Sequence, residues 1–272
     1  MSNYFTAGSD VEVFLKDKKG KIVSAVGLVG GTKEKPKPVP KGAVQEDNVT
    51  AEFNILPAKS SAEFVENLTT VLTELNKIAS DKGLSYHIQD FHNFSPEELD
   101  NPQAQTFGCD PDYNIYTSEQ NPPVDRKLIG NIRVAGGHMH FGFENPEEHP
   151  LLRIRTIQWA DILIGLPLAY IEPPSIRREF YGKAGSFRWK EYGVEYRTPS
   201  NIWISSPKIM SWTYKQMKDV AQRAISNEDP YRNVRRYNPD ELIETINNSG
   251  KVENKKQVVA LLSTYGINPP SI

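Results

Sequence analysis

The chain has 272 residues, 38% of them apolar, which suffices for a substantial core in one large domain or two small ones. Basic and acidic side chains number 32 and 34, leaving a net charge of −2 and a pI near 6.2, so nothing in the balance recommends a nucleic-acid or membrane partner. The single cysteine, Cys109, excludes an internal disulfide framework and a multi-cysteine zinc site, and it fits a reducing compartment.

Residues 1–9 lack the basic and apolar regions of a secretory leader, and no run approaches the ~18 apolar residues that cross a bilayer. The reading is a cytoplasmic protein. The first element is a hairpin: "DVEVFLKD", a turn at "KKGK", then "IVSAVG". The basic loop "GGTKEKPKPVPKG" follows, whose prolines bar it from a central strand or a helix interior. The strand "NVTAEFNIL" comes next. Ser60 and Ser61 offer an N-cap to a helix of about six turns, with Phe64, Leu68, Val71, Leu72 and Leu75 on one face and Gly83 closing it.

Residues 85–127 read as irregular, and long loops in a compact domain usually form a binding surface. Residues 128–143 read as a strand. An apolar helix over 151–166 stops before Pro167, followed by the strands "GSFRWK" and "GVEYRTP" and a helix from 206 to 225. The pieces "PDELIETINN" and "ENKKQVVALLSTY" form a short helical tail capped by Gly266, so the chain divides into residues 1–226 and a tail at 227–272. Hairpins interrupted by long helices indicate an α+β fold, an antiparallel sheet with helices packed on one face.

Residues two apart on a strand share a face, and that rule applied to four strands returns one pattern. Asp10 and Glu12 oppose Val11, Val13 and Leu15. Thr50, Glu52 and Asn54 oppose Val49, Ala51, Phe53 and Ile55. His138 and His140 oppose Met139, Phe141 and Phe143, and Glu195 and Arg197 oppose Val194 and Tyr196. A solvated sheet face also alternates, but it tends to carry Lys, Ser and Thr rather than carboxylates and imidazoles. Carboxylates gathered on one surface raise each other's pKa unless cations sit between them, and Mg²⁺ or Mn²⁺ suits oxygen ligands with an imidazole. Arg177, Arg178, Lys183, Arg188 and Arg197 fall close in sequence to Glu195. Those at 188 and 197 alternate with aromatic residues, so each is expected to point into a functional cleft, where Arg pairs bidentately with phosphate or carboxylate.

Other readings of these residues fail on context. His-x-His with Glu144 imitates a cupin half-motif, but Ile132 and Leu151 stand where glycines belong and a helix follows where strands are required. "GLVGGTKEKP" lacks the Gly-Lys-Thr order of a P-loop. Cys109 has no activating arrangement visible in the sequence.

The pieces "GSDVEVFL", "QEDNVTAEFN", "GGHMHFGF" and "GVEYRTPS", in that order over residues 8 to about 204, resemble the glutamine synthetase and glutamate–cysteine ligase superfamily. Within it they are most similar to the phage-encoded COOH–NH2 ligase (amidoligase) branch, as are "FGCDPDYN" and "RREFYGKAGSFR". The resemblance implies a glutamine-synthetase-like catalytic sheet and an ATP-dependent carboxylate–amine ligase that forms an amide through an acyl phosphate. It implies metal ligands at Asp10, Glu12, Glu52, His138 and Glu195, with Glu46 or Asp47 as alternatives beside Glu52. His140 would contact substrate or ATP, Arg197 would clamp phosphate beside Glu195, and Arg188, Arg178 and Lys183 would assist at ATP. ATP and Mg²⁺ (or Mn²⁺) are the implied cofactors, and a carboxylate and an amine the substrates. The N-terminal domain through which glutamine synthetases complete a neighbour's site has no match here, so a monomer or small homo-oligomer is expected, in the host cytoplasm if phage-encoded. The rivals are a guanidino-kinase-type phosphotransferase on the same scaffold and a non-catalytic binding protein of the same fold.

Overall fold

The computed structural model describes residues 4–105, 111–232 and 234–271. Cys109 lies outside them. The strands are β1 (Phe5–Lys16), β2 (Ile22–Val23), β3 (Lys37–Val39), β4 (Gly42–Asp47), β5 (Thr50–Ile55), β6 (Ser85–His87), β7 (Phe91–Asn93), β8 (Tyr113–Asn114), β9 (Ile132–Val134), β10 (Gly137–Phe143), β11 (Ser186–Lys190) and β12 (Gly193–Tyr196). The helices are α1 (Ser61–Ser80), α2 (Pro102–Gln105), α3 (Arg126–Ile129), α4 (Pro150–Ala160), α5 (Leu166–Ile171), α6 (Arg177–Phe180), α7 (Pro207–Ile225), α8 (Pro239–Asn247) and α9 (Lys255–Tyr265).

One antiparallel sheet runs β3-β4-β5-β1-β10-β12-β11-β8, so the four alternating strands of the sequence are consecutive neighbours at its centre. The register aligns their polar positions: Glu52 faces Glu12, Asp10 faces His138, and His140 faces Glu195, which also faces Arg188. The apolar partners Val11, Val13, Phe53, Met139, Phe141 and Val194 are fully buried in the core beneath α1, α4 and α7. Helices thus cover one face, as the α+β reading anticipates. The opposite face is left for the polar residues.

Helix α1 starts where its capping chemistry dictates. The Ser60 hydroxyl accepts the Glu63 N–H at 3.2 Å, and Glu63 reaches back to the Lys59 N–H at 2.7 Å. The C-terminal helices join the same core through Leu242, Ile246, Val258 and Leu261, packed beside α5.

Three expectations need correction. The Lys/Pro loop contains β3, which its Pro38 permits because β3 is the edge strand of the sheet. The strand expected over 128–143 is broken: α3 occupies 126–129, and β9 pairs with β7 in a separate two-stranded sheet before β10 begins. The helix expected to stop before Pro167 continues to Ile171 by widening into a π turn at Asp161–Gly165, where the Leu166 N–H bonds the Asp161 carbonyl. A wider turn accommodates the missing Pro167 donor that would break a regular α-helix. Asp161, fully buried in this turn, accepts hydroxyls from Tyr196 at 2.7 Å and Tyr116 at 2.9 Å, tying the helix to β12 and to the 111–121 segment. Burial raises its carboxyl to about 6.

Candidate active site

The polar face of the sheet is the floor of a cleft of about 460 Å³. Glu12, Asp47 and Glu52, from β1, β4 and β5, line one half together with Gln45 and Asn54. Arg188, Lys190 and Arg197 line the other, and Asp10, His138 and His140 lie between. Tyr192 stands over His140 with ring centroids 5.7 Å apart.

The central residues are tightly interlinked. His138 Nδ1 lies 2.9 Å from Asp10 Oδ1 and 3.6 Å from Glu195 Oε1, and His140 Nε2 lies 3.3 Å from the same Asp10 oxygen. The Gly-Gly pair ahead of the histidines makes room for this packing. A Cβ on Gly136 would meet His138 Nε2 at 2.6 Å, and one on Gly137 would meet Trp203 Nε1 at 2.5 Å. Glu12 accepts the Gly136 N–H at 2.5 Å, fastening the same turn.

Glu195 is fully buried and surrounded by cations. Arg197 donates to it, Lys190 Nζ lies 2.9 Å and Arg188 Nη1 3.5 Å away, and Arg197 also donates to the Tyr181 hydroxyl and lies 3.6 Å from Asp112. Burial and the Asp10 charge push the Glu195 carboxyl up, but Arg197 and the two imidazoles outweigh them and hold it at about 2. Burial likewise opposes ionisation of Asp10, yet His140 and His138 hold its carboxyl well below the usual range. Burial and the Arg197 charge lower the His138 imidazole, favouring the neutral form.

The acidic half behaves oppositely. Burial and the Asp47 charge raise Glu12 to about 8 against the Gly136 hydrogen bond. Burial, then Asp10, Asp47 and Glu12, raise Glu52 well above its ordinary value, although Gln45 donates to it at 2.7 Å. Asp47 is also raised, chiefly by burial. Three carboxyls kept from ionising by burial and mutual repulsion fit a site for a divalent cation. Among the described residues, one ligand atom each of Asp10, His140 and Glu195 lie within 4.8 Å of one another. A set of carboxylate oxygens with one imidazole suits Mg²⁺ or Mn²⁺.

Most sequence-predicted site residues therefore meet at one cleft: Asp10, Glu12, Asp47, Glu52, His138, His140, Arg188 and Arg197 line it, and Glu195 lies buried against Asp10, His138 and His140. Three do not. Glu46 turns to the other side of β4, where its carboxylate accepts the N–H groups of Gly27, Val29 and Gly30 at 2.8–3.0 Å. Between the two alternatives beside Glu52, the cleft side of the strand holds Asp47. Arg178 is buried away from the cleft in a 2.6 Å ion pair with Glu172 and bonds to the Gly182 and Thr198 carbonyls. Lys183 is exposed outside the cleft, and Glu144 likewise stands outside it. Between the two histidines, it is His140 rather than His138 whose ring nitrogen groups with Asp10 and Glu195. His138 packs its Nε2 against Gly136, which leaves Nδ1 to orient Asp10.

Sequence reasoning missed Lys33, Tyr181 and Tyr192, and it weighed Lys190 evenly between a solubilising charge and a cleft residue. Lys190 had a signal, since it lies two residues from Arg188 and shares its face. Lys33 and Tyr181 come from segments with no strand parity, so nothing local marked them.

No helix among the described residues is long and apolar enough to cross a membrane. No curated protein matches the chain. Residues 131–238 match the family model described as Phage phiEco32-like COOH.NH2 ligase-type 2, a stretch that carries His138, His140, Arg188, Glu195 and Arg197. Over that stretch the match supports the resemblance to COOH–NH2 ligases (amidoligases) that the motifs carry.

Proposed function

We propose that the protein is an ATP-dependent ligase that joins a carboxylate to an amine through an acyl phosphate, using Mg²⁺ or Mn²⁺. The observation that carries the reading is the division of one cleft into an acidic half (Glu12, Asp47, Glu52) and a cationic half (Arg188, Lys190, Arg197). Activating a carboxylate with ATP brings two anions together. A site for that step requires metal ligands on one side and fixed positive side chains on the other.

In the first step a carboxylate oxygen attacks the γ-phosphorus, the bond from that phosphorus to the bridging oxygen breaks, and ADP leaves. In the second an amine nitrogen attacks the acyl carbon, the carbon–oxygen bond to phosphate breaks, and the amine gives up a proton as the amide forms. Asp10, His140 and Glu195, with Glu12, Asp47 and Glu52 beside them, are the residues that would hold the metal. When bound, Mg²⁺ or Mn²⁺ would neutralise phosphate charge that these carboxylates would otherwise repel. Arg197, held by Glu195 and Tyr181, presents a fixed guanidinium that can pair with a phosphoryl oxygen bidentately. Arg188 and Lys190 extend that positive wall along β11.

The test is product analysis. Protein incubated with ATP, Mg²⁺ and a metabolite extract should yield ADP, free phosphate and a new mass equal to two substrates minus water. A phosphorylated product formed without any amine would instead identify a phosphotransferase, and unchanged ATP would contradict both readings.

A further inference from the structure

We infer that the Gly27–Pro36 loop is an arm built to hold Lys33 over the acidic half of the cleft, where its ammonium contacts the phosphate chain of a bound nucleotide, and that Glu46 is the residue that positions the arm. The inference rests on the function proposed above.

Three features fix the arm. Glu46 accepts the N–H groups of Gly27 at 2.8 Å, Val29 at 3.0 Å and Gly30 at 2.8 Å, and also the Gln103 side-chain amide at 3.3 Å. Hydrogen bonds to a carboxylate are about twice as strong as neutral ones, so one side chain secures both the arm and α2. Gly31 then turns with φ +82°, and a Cβ there would stand 2.6 Å from the Val44 carbonyl oxygen and 2.7 Å from the Lys37 nitrogen, so the chain is pressed against β4. Beyond it, the Thr32 N–H bonds the Lys35 carbonyl at 3.0 Å and the Lys35 N–H bonds the Thr32 carbonyl at 3.1 Å, closing a four-residue turn that carries Lys33.

The position of Lys33 gives the arm a purpose. Lys33 and Pro36 line the cleft, and Gly31 and Lys37 on either side of them lie against Val44 of β4, the strand that carries Asp47. A divalent cation among Glu12, Asp47 and Glu52 that carried a nucleotide would bring phosphate oxygens to the same side of the cleft, where an ammonium can pair with them as a point charge. An exposed lysine kept only for solubility would need neither the anchoring carboxylate nor a left-handed glycine tight against the sheet.

The experiment measures equilibrium binding of Mg²⁺·ATP, and of Mn²⁺ alone, to wild type, Lys33→Ala, Lys33→Arg, Glu46→Gln and the Lys33→Ala/Glu46→Gln double variant. Lys33→Ala should bind Mg²⁺·ATP roughly 10- to 100-fold more weakly, as loss of a charge-assisted contact implies, and Lys33→Arg should recover much of the loss. Mn²⁺ alone should bind Lys33→Ala no more weakly than wild type. Glu46→Gln should weaken Mg²⁺·ATP in the same direction, and the double variant should be no weaker than Lys33→Ala, because Glu46 acts through Lys33. Wild-type affinity for Mg²⁺·ATP in Lys33→Ala would overturn the inference while leaving the proposed function standing. A further loss on adding Glu46→Gln to Lys33→Ala would overturn the positioning role. Failure of the wild type to bind Mg²⁺·ATP would overturn the function itself.

Discussion

The two halves of the cleft hold carboxylates in opposite states, and the more deeply buried one, Glu195, is the one held ionised. Glu195 sits among Arg197, Lys190, Arg188 and two imidazoles and is held at about 2, whereas Glu12 sits among Asp47, Glu52 and Asp10 and is raised to about 8. The sheet brings both to one surface, so the contrast comes from neighbours rather than from depth. One half is internally neutralised and can present positive charge to an anion. The other carries more negative charge than Lys33 can offset, and we assign the balance to a metal.

The sharpest way to break the contrast is to neutralise one acid from each half. Glu12→Gln, which keeps an acceptor for the Gly136 N–H, and Glu195→Gln should each lower ADP release on the order of 10²–10³-fold, with an unchanged far-ultraviolet circular dichroism spectrum. Retained turnover in both would remove the metal assignment. Arg197→Lys should lose on the order of 10²-fold, because a point charge cannot replace a fork fixed by Glu195 and Tyr181. Steady-state kinetics of that variant check the claim.

Arg178 offers a contrast of another kind, since it is conspicuous in sequence yet works outside the cleft. Arg178→Ala leaves Glu172 buried without its cation and should cost about 3–5 kcal/mol of stability in urea unfolding. Lys183→Ala, on an exposed side chain, should change stability by less than about 0.5 kcal/mol and leave kinetics unaltered.

Acidity separates the halves more gently. In metal-free protein, Glu12 has its folded pKa raised from 4.5 to about 8, so its contribution to stability is present below 4.5 and is lost as pH climbs to about 8. Glu195 is lowered from 4.5 to about 2, so its contribution is present above 4.5 and is lost as pH falls to about 2. Melting temperatures across that range should fall at both ends. Glu12→Gln should flatten the alkaline limb and Glu195→Gln the acid limb.

Much of this was legible because a strand has a period of two. Once Asp10, Glu52, His138 and Glu195 are assigned to strands, parity places them on one face, and the observed register only sets their order across the sheet. The same rule separates Asp47 from Glu46 once β4 is known. That strand stayed hidden because its hairpin partner β3 carries a proline tolerated only at a sheet edge. Arg178 and Lys183 lie in "RREFYGKAG", a short helix and turn without parity, where charge by itself does not distinguish a buried ion pair from a phosphate contact. The order of His138 and His140 was equally out of reach, since it depends on how each ring packs against Gly136 and Gly8. The π turn at Asp161–Gly165 left no mark in the sequence except Pro167, which argued for the opposite outcome.

The most direct measurement is equilibrium binding of Mn²⁺ at pH 8 to wild type, Glu12→Gln, Glu52→Gln and Arg188→Ala, read by calorimetry and by the proton release that accompanies ligation. The account predicts that wild type binds the ion with release of protons, that each Gln variant binds at least about tenfold more weakly, and that Arg188→Ala does not lose affinity. Absence of wild-type binding, or equal affinity in both Gln variants, would contradict it.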